Sequence, residues 1–146
     1  GAFLLFDDSF YRSVGGMDQR YLLYTEDVDL SWRAWIAGYK VVYEPRAAII
    51  HFSGGRFYRE DILSNETFYS LRNFIFISRK YFGRAGELRA LNLLSKVHDK
   101  ALVLAVKASY RSDQKPDLQR DFGNYRVHPM MKITGLNLFH EVRDGD

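Results

Sequence analysis

The sequence predicts an α/β chain in which short mixed strands and short helices are followed by long helices. Three observations carry that expectation. The chain opens on an apolar run of strand length, Ala2 to Phe6. Two further β-like segments, Tyr39 to Tyr43 and Ala47 to Ile50, flank Glu44-Pro45-Arg46, where proline cannot continue a central ladder. Beyond Gly55 the apolar period becomes helical and stays so over two long stretches.

Each element follows from local chemistry. Ala2 to Phe6 reads as a buried strand. Asp8 or Ser9 can cap a short helix that runs through Val14 and ends on Gly15-Gly16, where positive φ costs nothing. Met17 to Tyr24 carries few helix signals and reads as an irregular segment leading into Thr25-Glu26-Asp27. Val28, Trp32, Trp35 and Ile36 then fall on one helical face. Acidic residues occupy the first turn, where the macrodipole favours them, and Gly38 lies just beyond the end. Ser53-Gly54-Gly55 closes this block. A long helix is predicted from Arg59 to Phe82, broken by Gly83, and a second from about Glu87 to Tyr110, with Leu88, Leu91, Leu94, Ala101 and Leu102 facing inward. After Lys115-Pro116 the pattern fades, and the apolar run Ile133 to Phe139 carries no motif.

Composition narrows the chemistry. The chain has 146 residues, of which 47% are hydrophobic and 27% charged, as in a folded domain with its own core. It has no cysteine, which removes disulfide scaffolds, iron–sulfur clusters, cysteine zinc sites and thiol nucleophiles. No stretch reaches the roughly 18 uninterrupted apolar residues of a membrane span. The first residues lack the basic segment of a signal peptide, and the expectation is a cytoplasmic protein that opens inside a strand, as a piece of a longer one would. The net charge of +3 is uneven: residues 1–55 carry five Lys/Arg against seven Asp/Glu, leaving +5 for residues 56–146. The acidic part suits a metal or sugar site and the basic part an anionic surface. Nucleic acid is not expected as a partner, since no helix-turn-helix, zinc or RNA-binding signature is present.

Four carboxylates, Asp18, Glu26, Asp27 and Asp29, crowd one window, and Glu26-Asp27 stands where the irregular segment meets a helix N-terminus. A carboxylate held there by backbone N–H groups and the dipole is suited to act as a base; the alternative is simple capping. Asp27-Val28-Asp29 also spells a D-x-D string, but a helix sends alternate positions apart. It is therefore not read as a metal motif, and Asp29 is assigned to the first helical turn. His51 follows a predicted strand end and could ligate a metal or be a satisfied structural residue. His98, His128 and His140 show no ligand spacing. Tyr21 and Tyr24 are expected to line a site, while Trp32 and Trp35 are expected in the core.

The order Gly1-Ala2, Arg12, Gly15-Gly16-Met17-Asp18, Tyr24-Thr25-Glu26-Asp27-Val28-Asp29-Leu30, Arg33, Gly38-Tyr39, Pro45-Arg46-Ala47 and His51 resembles the second half of a family 2 glycosyltransferase of the GT-A fold, rhamnosyltransferase-like. The resemblance covers residues 1 to about 82. It implies residues 1–57 as the acceptor-binding and catalytic half without the nucleotide-binding half, 58–111 as a helical extension and 112–146 as a tail of unassigned role. It implies inverting transfer of a sugar from a nucleotide-diphosphate donor to a saccharide or lipid-linked acceptor in surface polysaccharide synthesis. Asp27 would be the general base and Glu26 would orient the acceptor. Gly15, Gly16 and Asp18 would sit beside donor sugar and acceptor, with Tyr24 lining the site. Arg33 would hold phosphate or pair with a carboxylate. His51 would complete a divalent metal site, for Mn or Mg, that is incomplete here. A fragment of this kind is expected to be inactive alone. Arg72, Arg79, Lys80, Arg84 and Arg89, set among aromatics, fit either a peripheral contact with the inner face of a bacterial membrane or a solvated helical face. The competing reading is a non-catalytic carbohydrate- or protein-binding module.

Overall fold

The computed structural model describes residues 1–51 and 61–113, with side chains from residue 65 onward in the second stretch. The Ser53-Gly54-Gly55 turn, the start of the helix at Arg59, the tail after residue 113, His128 and His140 lie outside the described residues. Among the described residues four helices follow one another: α1 (Asp8–Ser13), α2 (Glu26–Ile36), α3 (Asp61–Ser95) and α4 (Lys100–Ser112).

The α/β expectation, a GT-A half with short mixed strands, is overturned, because the described residues contain helices and no strand. Residues 2–6, 39–43 and 47–50 run without ladder hydrogen bonds, and many of their side chains face water. Leu5 is 92% exposed and Ile50 89%. An apolar run of strand length specifies only a pleated surface that could be paired. The strand itself requires a neighbour to accept and donate along its edge, and none of the three segments has one among the described residues.

Local signals hold for the helices. Asp7, one residue earlier than expected, caps α1 by accepting from Ser9 N at 2.8 Å and Phe10 N at 3.2 Å. Gly15 and Gly16 follow with φ of 83° and 71°, and Gly16 N donates to Tyr11 O at 2.8 Å. Helix α2 ends as predicted on Gly38 (φ 84°), with Tyr39 N donating to Ala34 O at 2.9 Å. Helix α3 is broken by non-helical geometry at Gly83 (φ 62°, ψ −154°), giving two arms. The predicted single helix from Glu87 to Tyr110 is divided. Its chain turns over Lys96–Asp99, and Asp99 starts α4 by accepting from Leu102 N at 2.9 Å.

Helix α2 is covered on two sides. Leu30 and Ala34 meet Phe10 and Val14 of the α1 region in a small cluster. Trp32 faces the other way, into the main core of Ile75, Ile77, Tyr81, Leu94, Val106 and Tyr110, and Val28, Trp35 and Ile36 pack at its margin. Trp32 meets Tyr81 edge to face at a centroid distance of 4.9 Å. Tyr21, expected to line a site, is buried in this core, whereas Leu88, expected inside, is 52% exposed. The second arm of α3 returns against the first so closely that a Cβ at Gly86 would lie 2.4 Å from Ser78 O and 2.6 Å from Phe82 Cβ, contacts that no side chain can make.

Buried Glu87 locks the two arms and α4 together. It accepts from Arg84 Nη1 at 2.8 Å, from Tyr110 OH at 2.9 Å and from Arg79. Burial works to raise its pKa, but these donors outweigh it and hold the carboxyl below its ordinary value. Substituting Gly86→Ala forces the arms apart and is expected to destabilise the protein by about 1–3 kcal/mol. A shift of the urea midpoint to lower concentration at unchanged slope checks this.

Candidate functional site

The stretch from Gly15 to Asp29 is held as a unit by buried charge. Asp29 has no exposed surface. One of its carboxylate oxygens accepts from Arg33 Nε at 2.8 Å; the other accepts from Lys80 Nζ at 2.6 Å and Tyr81 OH at 2.8 Å. Asp29 stands in the first turn of α2 as expected, and its carboxylate in addition binds α2 to α3. Burial first, then the Asp29 charge and hydrogen bond, push the Tyr81 phenol far above its ordinary pKa, so it acts as a donor here.

Arg33, at 3% exposure, pairs with Asp29 one turn before it and donates through Nη1 to Val14 O at 2.7 Å and Gly16 O at 2.5 Å. Its guanidinium is engaged inside the protein and fixes the glycine turn to α2. Asp18 is tied similarly, accepting from Arg20 Nη2 at 2.6 Å and Lys80 Nζ at 3.0 Å. Burial opposes ionisation of Asp18, but Arg20 and Lys80 hold its carboxyl well below the usual carboxylate range. Gly15 and Gly16, placed before it with positive φ, keep their backbone near this network.

The approach to Glu26-Asp27 is strained. Tyr24 and Thr25 have φ of 64° and 75°, left-handed values that side chains with a Cβ rarely adopt, at about 1–3 kcal/mol each. Sequence reasoning missed the residue that sustains this turn, Asn73 of α3. It is fully buried, and its Nδ2 donates to Leu23 O at 2.6 Å and Tyr24 O at 2.8 Å. Its own Oδ1 accepts from Arg72 Nη1 at 3.0 Å. No local motif announces such a contact, because the partners stand 49 and 50 positions apart. Tyr24 adds a hydroxyl bond to Glu66, which pushes its phenol pKa up to about 12 and leaves it a donor at neutral pH.

At the start of α2, Glu26 Oε1 and Asp27 Oδ2 lie 3.0 and 3.1 Å from the Gly1 nitrogen. Asp27 Oδ1 accepts from Val28 N at 2.8 Å, and its side chain remains 36% exposed. Glu26 Oε2 is buried without a hydrogen-bond partner. Thr25 makes no side-chain cap. Apart from the chain terminus, Asp27 is thus anchored by Val28 N–H, partly solvent-accessible and placed where the helix dipole favours negative charge.

His51 is exposed at the edge of the described residues, which contain no group of three His, Cys, Asp or Glu side chains able to hold a metal ion. Of the basic residues read as a membrane-facing pattern, Lys80 pairs with Asp18 and Asp29. Arg79 and Arg84 pair with Glu87, and Arg72 pairs with Asp113. Among the described residues no helix is long and apolar enough to cross a membrane.

Comparison with known proteins adds chemistry to this geometry. The chain is 37% identical over 86 residues to N-acetylglucosaminyl-diphospho-decaprenol L-rhamnosyltransferase of Mycobacterium tuberculosis, a match covering 57% of this chain and 27% of that enzyme. It is 40% identical over 53 residues to rhamnosyltransferase WbbL of Escherichia coli, covering 36% of this chain and 20% of that protein. The chain resembles bacterial rhamnosyltransferases. The matched stretches span about a quarter and a fifth of the relatives. No family model and no solved structure matches the sequence.

Two outcomes test this account of the site. Asn73→Ala leaves two carbonyls of a strained turn without their donor and is expected to cost about 2–3 kcal/mol, read from chemical denaturation. Asp18 has a folded pKa below its unfolded one, so its contribution to stability is full above about pH 4 and is lost as pH falls through the folded value. Asp18→Asn is therefore expected to lower stability at neutral pH and to flatten the loss on acidification, measured by urea titrations from roughly pH 7 to 2.

Proposed function

We propose that this chain forms the acceptor-side part of a sugar transferase, with Asp27 as the general base. The observation that carries the proposal is Asp27, anchored by Val28 N–H and partly exposed beside Glu26 at a helix N-terminus, in a chain whose relatives are named rhamnosyltransferases. In this reading the donor is a nucleotide-diphosphate sugar and the acceptor a saccharide carried on a lipid. Asp27 removes the proton from an acceptor hydroxyl as that oxygen bonds to the anomeric carbon. The bond from that carbon to the diphosphate oxygen breaks on the opposite face, the nucleotide diphosphate takes the electron pair, and the configuration inverts. Val28 N–H and the helix dipole support the carboxylate before reaction. Glu26, beside the base in the first turn of α2, orients the acceptor.

Arg33 and Asp18 act one step back from the chemistry. Their charges are engaged by Asp29, Lys80 and Arg20, and they hold the Gly15-Gly16 turn whose backbone is offered to the sugars. Because the matched stretch is about a quarter of the mycobacterial relative, transfer is expected from a longer polypeptide carrying this sequence and not from the 146 residues alone.

In such a polypeptide Asp27→Asn is expected to lower kcat by roughly 10²–10⁴-fold while donor affinity stays within about threefold. Single-turnover transfer from a nucleotide-diphosphate sugar, with donor binding measured separately, checks this. Turnover equal to the unsubstituted protein removes Asp27 from the role.

A further inference from the structure

Beside the Glu26-Asp27 pair lies an apolar cavity of about 520 Å³ with no role in the account above. Its walls come from three places: Val28 on α2, Leu71, Phe74 and Ile77 on the first arm of α3, and Leu94 at the end of the second arm with Val97 on the turn after it. Its polar lining is limited to Thr25, Ser70 and Lys96. Thr25 is the residue immediately before Glu26, so the cavity reaches the same left-handed turn that aims the candidate base. A volume in this range is that of a small-molecule site, and its carbon lining selects a hydrocarbon.

We propose that this cavity is the subsite for the first isoprene units of a polyprenyl diphosphate, the lipid portion of the acceptor. The inference rests on the transfer reading above and deepens it by placing the lipid. Three features commit the cavity to this occupant. The lining suits a branched hydrocarbon chain and offers almost nothing to a sugar. The turn that closes one side is cationic: Lys96 lines the cavity, and Lys100 donates to Ser95 O at 3.2 Å and Val97 O at 2.9 Å, which keeps a second positive charge on the same turn. The carboxylate on that turn, Asp99, is directed to α4 by its bond from Leu102 N, and the imidazole of His98 is exposed beside it. An anionic head on a hydrocarbon chain complements such a lining; an uncharged chain uses only half of it. Finally, the cavity meets the site at Thr25, so a lipid seated there carries its attached sugar near Asp27.

The test titrates the 146-residue chain with geranylgeranyl diphosphate by calorimetry, with geranylgeraniol and inorganic diphosphate as separate probes. Ser70 is exposed on α3, so Ser70→Trp fills the cavity without removing a core contact, and Lys96→Glu reverses its charge. Circular dichroism confirms that both variants keep their helices. The expected result is saturable binding of geranylgeranyl diphosphate, weakened at least tenfold by Ser70→Trp. Lys96→Glu should weaken the diphosphate at least tenfold and geranylgeraniol much less. Binding that both variants leave unchanged puts the lipid elsewhere and overturns the cavity assignment while the transfer reading stands. No binding by the unsubstituted chain overturns the assignment and leaves Asp27 to be judged by its own turnover assay. A dimer that Ser70→Trp dissociates in the absence of lipid gives the cavity to a second copy of the chain and overturns it as well.

Discussion

A single buried carboxylate, that of Asp29, sets the geometry on which the rest depends. It has no access to water, and it is satisfied by a guanidinium, an ammonium and a phenol that come from two helices. A buried charge of this kind is tolerated only when its partners are complete, and removing one leaves an uncompensated ion in a medium of low polarity. The constraint is therefore tight in both directions. Lys80 and Tyr81 must come from α3, which fixes how that helix crosses α2. Arg33 must come from the next turn of α2, and its Nη1 then reaches back to Val14 and Gly16. One residue thereby determines the placement of the glycine turn, the helix that carries Glu26-Asp27 and the helix that covers them.

The second constraint is stored strain. Two consecutive left-handed residues with side chains precede Glu26, and the cost is borne because Asn73 satisfies the Leu23 and Tyr24 carbonyls from across the interface. Without that turn the chain would enter α2 along an extended path, and the two carboxylates would be aimed differently. The arrangement separates the labour between charges. Asp29, Arg33, Asp18 and Lys80 are consumed in holding the scaffold, while Asp27, outside that network, keeps 36% of its side chain exposed.

The same accounting revises the basic segment. Aromatic residues interleaved with arginine read equally well as a surface for anions or as a solvated helical face. In the folded chain Arg72, Arg79, Lys80 and Arg84 stand against carboxylates of their own protein, and Glu87 alone gathers two of them where the arms of α3 and α4 meet. Arg72 and Lys80 are internal in the fold, while Arg79 and Arg84 keep 42% and 66% of their side chains exposed. The apolar cavity between α2 and the two arms of α3 shows the converse: residues that a helical period assigns to core packing leave a space that reaches Thr25.

What the sequence determined by itself was everything whose cause lies within a few residues. Helix α2 with its acidic first turn and its end at Gly38, the α1 stop at Gly15-Gly16 and the break at Gly83 all follow from caps, positive φ and short-range periodicity. The Glu26-Asp27 pair at a helix start was legible for the same reason. Tertiary structure decided the rest, because the causes lie far apart in the chain. Residues 2–6, 39–43 and 47–50 have strand composition, but a strand exists only with a ladder partner, which composition cannot supply. Tyr21 and Leu88 exchanged their expected places because burial depends on which face a neighbouring helix covers. Arg33, Asp29 and Asn73 acquired their roles from partners 17 to 52 positions away, at distances along the chain where no local pattern carries information.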